Sequence, residues 1–143
     1  MTSADQYLQS IYLLCRATDE PAATGAVADA MGVSPASANE MVGKLEEAGL
    51  AAHEKYVGVT LTDEGEARAR AALETFCIIE RFLATALEVD EFRAEARQMQ
   101  PVVDETVAER LDLIVERRPE CPDCFLVDDD RCEHLVAPDD GSA

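Results

Sequence analysis

Four consecutive residues, Gly32-Val33-Ser34-Pro35, interrupt an otherwise helical apolar pattern, and they constrain the first half of the chain more than any other feature. Gly32 can end a helix in the left-handed backbone region. Ser34 can cap the next helix, and Pro35 suits a first helical position, where its missing N–H leaves no bond unmade. Two helices joined by so short a turn must cross steeply and share a core. Upstream, Thr24 is the candidate N-cap of a short helix with Val27, Ala28 and Met31 inward. Downstream, a longer helix runs through Leu45 with Ala38, Val42 and Leu45 inward, and Gly49 stops it. Ahead of both, residues 4–17 place Tyr7, Leu8, Ile11, Tyr12, Leu14 and Cys15 at steps of three and four, one face of an amphipathic helix that Asp19-Glu20-Pro21 breaks.

From Leu50 the apolar period shortens. Residues 50–57 and 59–61 read as extended stretches with Gly58 as the turn between them, a small hairpin of the kind called a wing. Thr62 can cap the following helix, with Asp63 and Glu64 at its positive dipole end, and the helical pattern continues to about Leu87 through Ala71, Phe76, Ile79 and Leu83. Helical pieces at 90–100 and 104–117 are separated by Pro101, which removes a ladder hydrogen bond. Beyond Arg118, Pro119, Pro122, the acidic run Asp128 to Asp130 and the tail from Pro138 describe an irregular segment. The expected fold class is mainly α. It comprises a winged helix-turn-helix at 1–63, a helical dimerisation domain at 64–118 and a Cys-rich, candidate metal-binding tail at 119–143. The apolar stripe Phe76, Ile79, Phe82 and Leu83, with Val107, Leu111 and Ile114, exceeds what one small domain needs for itself and points to a homodimer.

Charge narrows the function. Thirty acidic residues against twelve basic ones give a net charge of -18, which argues against a non-specific nucleic-acid coat and a membrane-surface binder. Only Lys44 and Lys55 are lysines, and the abundance of Asp, Glu, Ala and Val suits a halophilic protein kept soluble in concentrated salt. No apolar run approaches the roughly 18 residues of a spanning helix, and the N-terminus has no basic stretch followed by an apolar one. The expected location is therefore cytoplasmic, where five cysteines argue against a disulfide framework.

The helix-turn-helix directs Ser34, Pro35, Ala36, Ser37, Asn39 and Glu40 outward. Small hydroxyl and apolar groups can touch thymine methyls, Asn39 can pair with adenine, and Glu40 can accept from cytosine. Lys44, His53 and Lys55 are the candidate phosphate contacts, with Tyr56 beside them in the wing. The competing readings are a small helical bundle with a polar surface and a winged helix used only for protein contacts. Residues 1–63 carry three basic and nine acidic side chains, an objection to DNA binding that weakens in molar salt, where counterion release is largely lost.

Several motifs carry a specific resemblance. They are Asp5-Gln6-Tyr7-Leu8-Gln9-Ser10-Ile11-Tyr12, Val33-Ser34-Pro35-Ala36-Ser37 leading into Met41-Val42-Gly43-Lys44-Leu45, Gly49-Leu50, Tyr56-Val57-Gly58-Val59-Thr60-Leu61-Thr62 leading into Gly65, and Glu80-Arg81-Phe82-Leu83. In order and spacing, residues 4 to about 117 resemble the diphtheria-toxin-repressor and manganese-transport-regulator family of metal-dependent repressors. The resemblance implies a homodimeric transcriptional repressor on a palindromic operator, with its effector metal held by the first helix and the dimerisation helices. At the positions that the family gives to ligands, this chain has Gln6, Gln9, Phe76, Arg93, Arg97, Gln100 and Pro101, and only Glu80 is retained. Amides, a phenyl ring and an arginine pair cannot replace the anionic oxygen and imidazole donors that manganese or ferrous iron requires. The inherited metal site is therefore expected to be lost. Cys77, one residue from the expected histidine, is either a small buried apolar side chain or a ligand. Cys77 or Asp104, with Glu80, is the candidate for a rebuilt site that still answers to iron or manganese. A dimeric interaction adaptor that does not bind DNA is the alternative from another class.

The remaining chemistry lies in the tail. Cys121-Pro122-Asp123-Cys124 is a C-x-x-C knuckle, and Cys132-Glu133-His134 returns with a thiolate and an imidazole, a tetrahedral zinc set. Free thiols on a flexible tail and an iron-sulfur or redox centre are the other readings of Cys121, Cys124, Cys132 and His134. No nucleophile elbow, phosphate loop or catalytic His pair is present, so no enzyme activity is expected.

Overall fold

The computed structural model describes residues 3–115 and two short strands, Phe125–Leu126 and Arg131–Cys132. It is mainly helical and divides into two compact units, with the break between Ala71 and Ala72, inside a helix.

The N-terminal unit comprises α1 (Ser3–Thr18), α2 (Thr24–Met31), α3 (Pro35–Glu47), β1 (Ala51–Glu54), β2 (Gly58–Leu61) and the first half of α4 (Asp63–Arg81). Leu8, Ile11, Val27, Ala38, Val42, Leu45 and Val59 form its core. The expected punctuation is present. Gly32 closes α2 at φ 66°, and Ser34 caps α3, its hydroxyl accepting the Ser37 N–H at 3.1 Å with Pro35 in the first turn. β1 and β2 pair antiparallel from Ala51 opposite Leu61 to Glu54 opposite Gly58. The Thr62 hydroxyl accepts the Gly65 N–H and donates to the Gly49 carbonyl, so one side chain both caps α4 and ties it to the end of α3.

Local details differ from the sequence expectation. Ala22 bridges to Val59, which holds the chain extended up to Ala23. Ala23, not Thr24, is then the N-cap of α2, and no side chain caps it. On α1, Leu13 is buried while Leu14 and Cys15 are only half-buried. Gly58 is not the hairpin turn but the first residue of β2; the turn is Lys55-Tyr56-Val57, with Tyr56 at φ 66°. Gly58 is required for a different reason. At φ 136° it lies so close to the Ala22 carbonyl that a Cβ would stand 2.6 Å from the oxygen.

The C-terminal unit holds the second half of α4, a π-helical segment Phe82–Ala86, α5 (Phe92–Met99), a 3-10 turn Gln100–Val102, α6 (Glu105–Asp112), and the strands β3 (Phe125–Leu126) and β4 (Arg131–Cys132). Phe76, Ile79, Leu83, Phe92 and Ala96 are its buried centre. The α-helical ladder ends at Arg81 rather than Leu87, because the next five residues widen into the π form. Ala72 rather than Ala71 is buried on α4, and Phe82 is half-buried. Pro101 lies in the 3-10 turn, as its missing N–H requires, and the Asp104 carboxylate caps α6 by accepting the Val107 N–H at 2.8 Å. Val102, Val107, Leu113 and Ile114 are exposed. β3 and β4 pair antiparallel, Phe125 opposite Cys132.

Candidate functional site

The outer face of α3 is a polar surface on a rigid base. Ala38, Val42 and Leu45 anchor the helix to the core, leaving Ser34, Pro35, Ala36, Ser37, Asn39, Glu40 and Lys44 exposed along one side. The Ser34 hydroxyl also donates to the Ser37 hydroxyl at 3.0 Å, which fixes the helix start, and Asn39 is exposed on the next turn. A shallow cleft of about 340 Å³, bordered by Gln6, Tyr7, Met31, Ser37, Glu40 and Lys44, runs beside this face. His53 is half-buried, and its backbone N–H donates to the Glu46 carboxylate at 3.2 Å, bracing the wing against α3. Tyr56 is 95% exposed at the wing's turn, with the Lys55 ammonium 5.2 Å from its ring centroid. On α3 and the wing, Lys44, His53 and Lys55 are outnumbered by exposed Glu40, Glu46, Glu47 and Glu54. This surface is therefore not a basic patch.

Two contacts that the sequence reading missed hold α1 in the N-terminal unit. Arg68 donates to the Asp5 carboxylate at 2.6 Å, and Arg70 donates to the Tyr12 hydroxyl at 2.9 Å. Their partners lie about sixty positions away along the chain, a separation with no periodic signal to read. Cys15 donates to the Val59 carbonyl at 3.5 Å. Burial pushes its thiol pKa up, a hydrogen bond with the Ala22 backbone lowers it, and the nearby Glu66 raises it again, so the protonated thiol is favoured.

In the C-terminal unit the retained Glu80 is completely buried. Its Oε2 lies 3.8 Å from Nε of Arg93, the second residue of α5. The Arg93 guanidinium also lies 5.0 Å from the ring centroid of the buried Phe92. Gln100 is buried, its amide donating to the Ala72 carbonyl at 2.9 Å, while Arg97 is exposed and Phe76 fills the core. Cys77 is completely buried. Among the described residues, no group of three or more His, Cys, Asp or Glu side chains comes together as a cation would need. Of the sequence-predicted tail ligands, Cys121, Cys124 and His134 lie outside the described residues, and Cys132 is described only by its backbone place in β4. No described helix is long and apolar enough to cross a membrane.

Comparison with known proteins gives this geometry a family. A family model described as the iron dependent repressor N-terminal DNA binding domain matches residues 1–59, and one described as the iron dependent repressor metal binding and dimerisation domain matches residues 62–124. An uncharacterised HTH-type transcriptional regulator of Methanocaldococcus jannaschii is 31% identical over 117 residues, 80% of this chain and 94% of that protein. The HTH-type transcriptional regulator MntR of Lysinibacillus sphaericus is 36% identical over 91 residues, 64% of each chain. The solved structure of the manganese regulator SloR superposes with a TM-score of 0.67 at 32% identity, over 80% of this chain and 54% of its own, so this chain spans about half the length of that regulator. These relatives are transcriptional regulators, not enzymes. With the two models matched one after the other along the sequence, the chain belongs to the iron-dependent repressor family, the diphtheria-toxin-repressor and manganese-transport-regulator group of winged-helix transcriptional regulators.

Proposed function

We propose that this chain is a DNA-binding regulator of repressor type that acts as a homodimer on a palindromic operator, with its DNA module at 1–63, its dimerisation domain at 64–118 and an accessory tail at 119–143. The observation that carries the reading is the exposed polar face of α3. It is fixed at its start by the Ser34 cap and Pro35 and flanked by the solvent-exposed Tyr56 of the wing. Exposed Val107, Leu113 and Ile114 in the C-terminal unit support a second copy as the partner of that unit. The acidic composition supports work in concentrated salt.

The family's metal input is read as lost from the helical unit. Manganese and iron need several carboxylate or imidazole donors, and of the inherited ligand positions only Glu80 still offers one. Cys121, Cys124, Cys132 and His134 remain as a candidate zinc site, structural or sensory, supported by their spacing and by the pairing of Phe125 with Cys132. The test of DNA binding is a Ser37→Glu/Asn39→Glu variant assayed against a randomised duplex library in molar potassium chloride. Wild type should enrich a two-fold-symmetric sequence, and the variant, with an unchanged oligomeric state, should enrich none. Equal enrichment by both would remove α3 from the reading.

A further inference from the structure

We infer that Arg93 is a resident cation at Glu80 in the C-terminal unit: its guanidinium supplies positive charge to the buried carboxylate, and so makes the packing of α4 against α5 independent of metal. The inference rests on the reading that the family's metal site is lost, and goes beyond it by naming what replaced the metal.

A carboxylate removed from water is strongly disfavoured unless an opposite charge or several donors reach it. Glu80 is 0% exposed, whereas the Arg93 side chain is 24% exposed, so the pair joins the interior of α4 to a group that still touches solvent. The stacking of the guanidinium against Phe92, itself 0% exposed, fixes where the charge sits. At the far end of α5 the Gln100 amide bonds the α4 backbone at Ala72. Polar groups of the chain itself thus link α4 to α5 or its C-terminal extension at two places. A divalent cation approaching Glu80 would meet a fixed positive charge on the carboxylate's own doorstep, and would find no third His, Cys, Asp or Glu among the described residues. An arginine cannot be chelated away, so the unit should hold one arrangement whether or not metal is present.

Thermal unfolding of the full chain in one salt buffer tests this with wild type, Arg93→Gln, Glu80→Gln and the double variant. Arg93→Gln keeps much of the side-chain volume and removes the charge, and should lower the midpoint by roughly 10 °C or more, the scale expected when a buried ion loses its partner. The double variant, in which neither member of the pair carries a charge, should recover most of that loss. If Arg93→Gln alone does not fold, recovery of a folded double variant makes the same point. A midpoint for Arg93→Gln within about 2 °C of wild type, or a double variant no more stable than Arg93→Gln, would overturn the role of Arg93. Manganese and ferrous iron added to wild type should leave the midpoint unchanged. A rise would show that the metal site survives, overturning the underlying reading and the inference with it. Failure of the cycle alone, with no metal effect, would remove only Arg93.

Discussion

Gly58 shows how a residue can be noticed for one reason and required for another. From the sequence it reads as a turn tip, but the turn lies at Lys55-Tyr56-Val57, and Gly58 is needed because the Ala22 carbonyl crosses directly above it. Gly58→Ala should therefore destabilise the N-terminal unit by about 1–3 kcal/mol through an unfavourable φ and a backbone clash. Denaturant unfolding would measure it, and a neutral result would mean that the bridge between Ala22 and Val59 gives way easily. Ser34, Pro35 and Thr62 were legible because a cap acts on its immediate neighbours, so local spacing encodes it. Thr24 fails by the same logic, since the pairing of Ala22 with Val59, and not the hydroxyl of Thr24, sets where α2 begins.

Helix α3 was readable end to end, because its caps, its inward Ala38, Val42 and Leu45 and its polar face all follow one period. Helix α4 was readable only in part. Its start carries a cap and acidic first-turn residues, but its change to a π segment after Arg81 has no local sequence signal. The ion pair of Arg68 with Asp5 and the bond of Arg70 to Tyr12 were equally hidden, because each depends on which helices meet. Departures from the residues that the resemblance implies as ligands were readable position by position, whereas the approach of Arg93 to Glu80 required the packing of α4 with α5. The tail is an element with its own test. If Cys121, Cys124, Cys132 and His134 hold zinc, about one zinc per chain should survive dialysis, and a Cys121→Ser/Cys124→Ser variant should lose it and become protease-sensitive in that segment. Metal-free protein with an equally resistant tail would refute the site.

For the molecule as a whole, the charge of -18 and the acidic side chains beside α3 imply that DNA affinity owes little to phosphate neutralisation. Affinity should accordingly fall only gently with salt, in contrast to the steep loss of a protein making many phosphate contacts. The exposed apolar residues of the C-terminal unit imply a dimer, and a Val107→Glu/Ile114→Glu variant should scatter light as a monomer while its circular dichroism stays helical. A wild-type monomer would refute the assignment of that face. The most direct test of the central claim is duplex binding by wild-type protein dialysed against a chelator, then titrated with manganese or ferrous iron. Metal-independent regulation requires the same affinity for the selected duplex at every metal concentration. DNA binding that appears only when metal is added would contradict it.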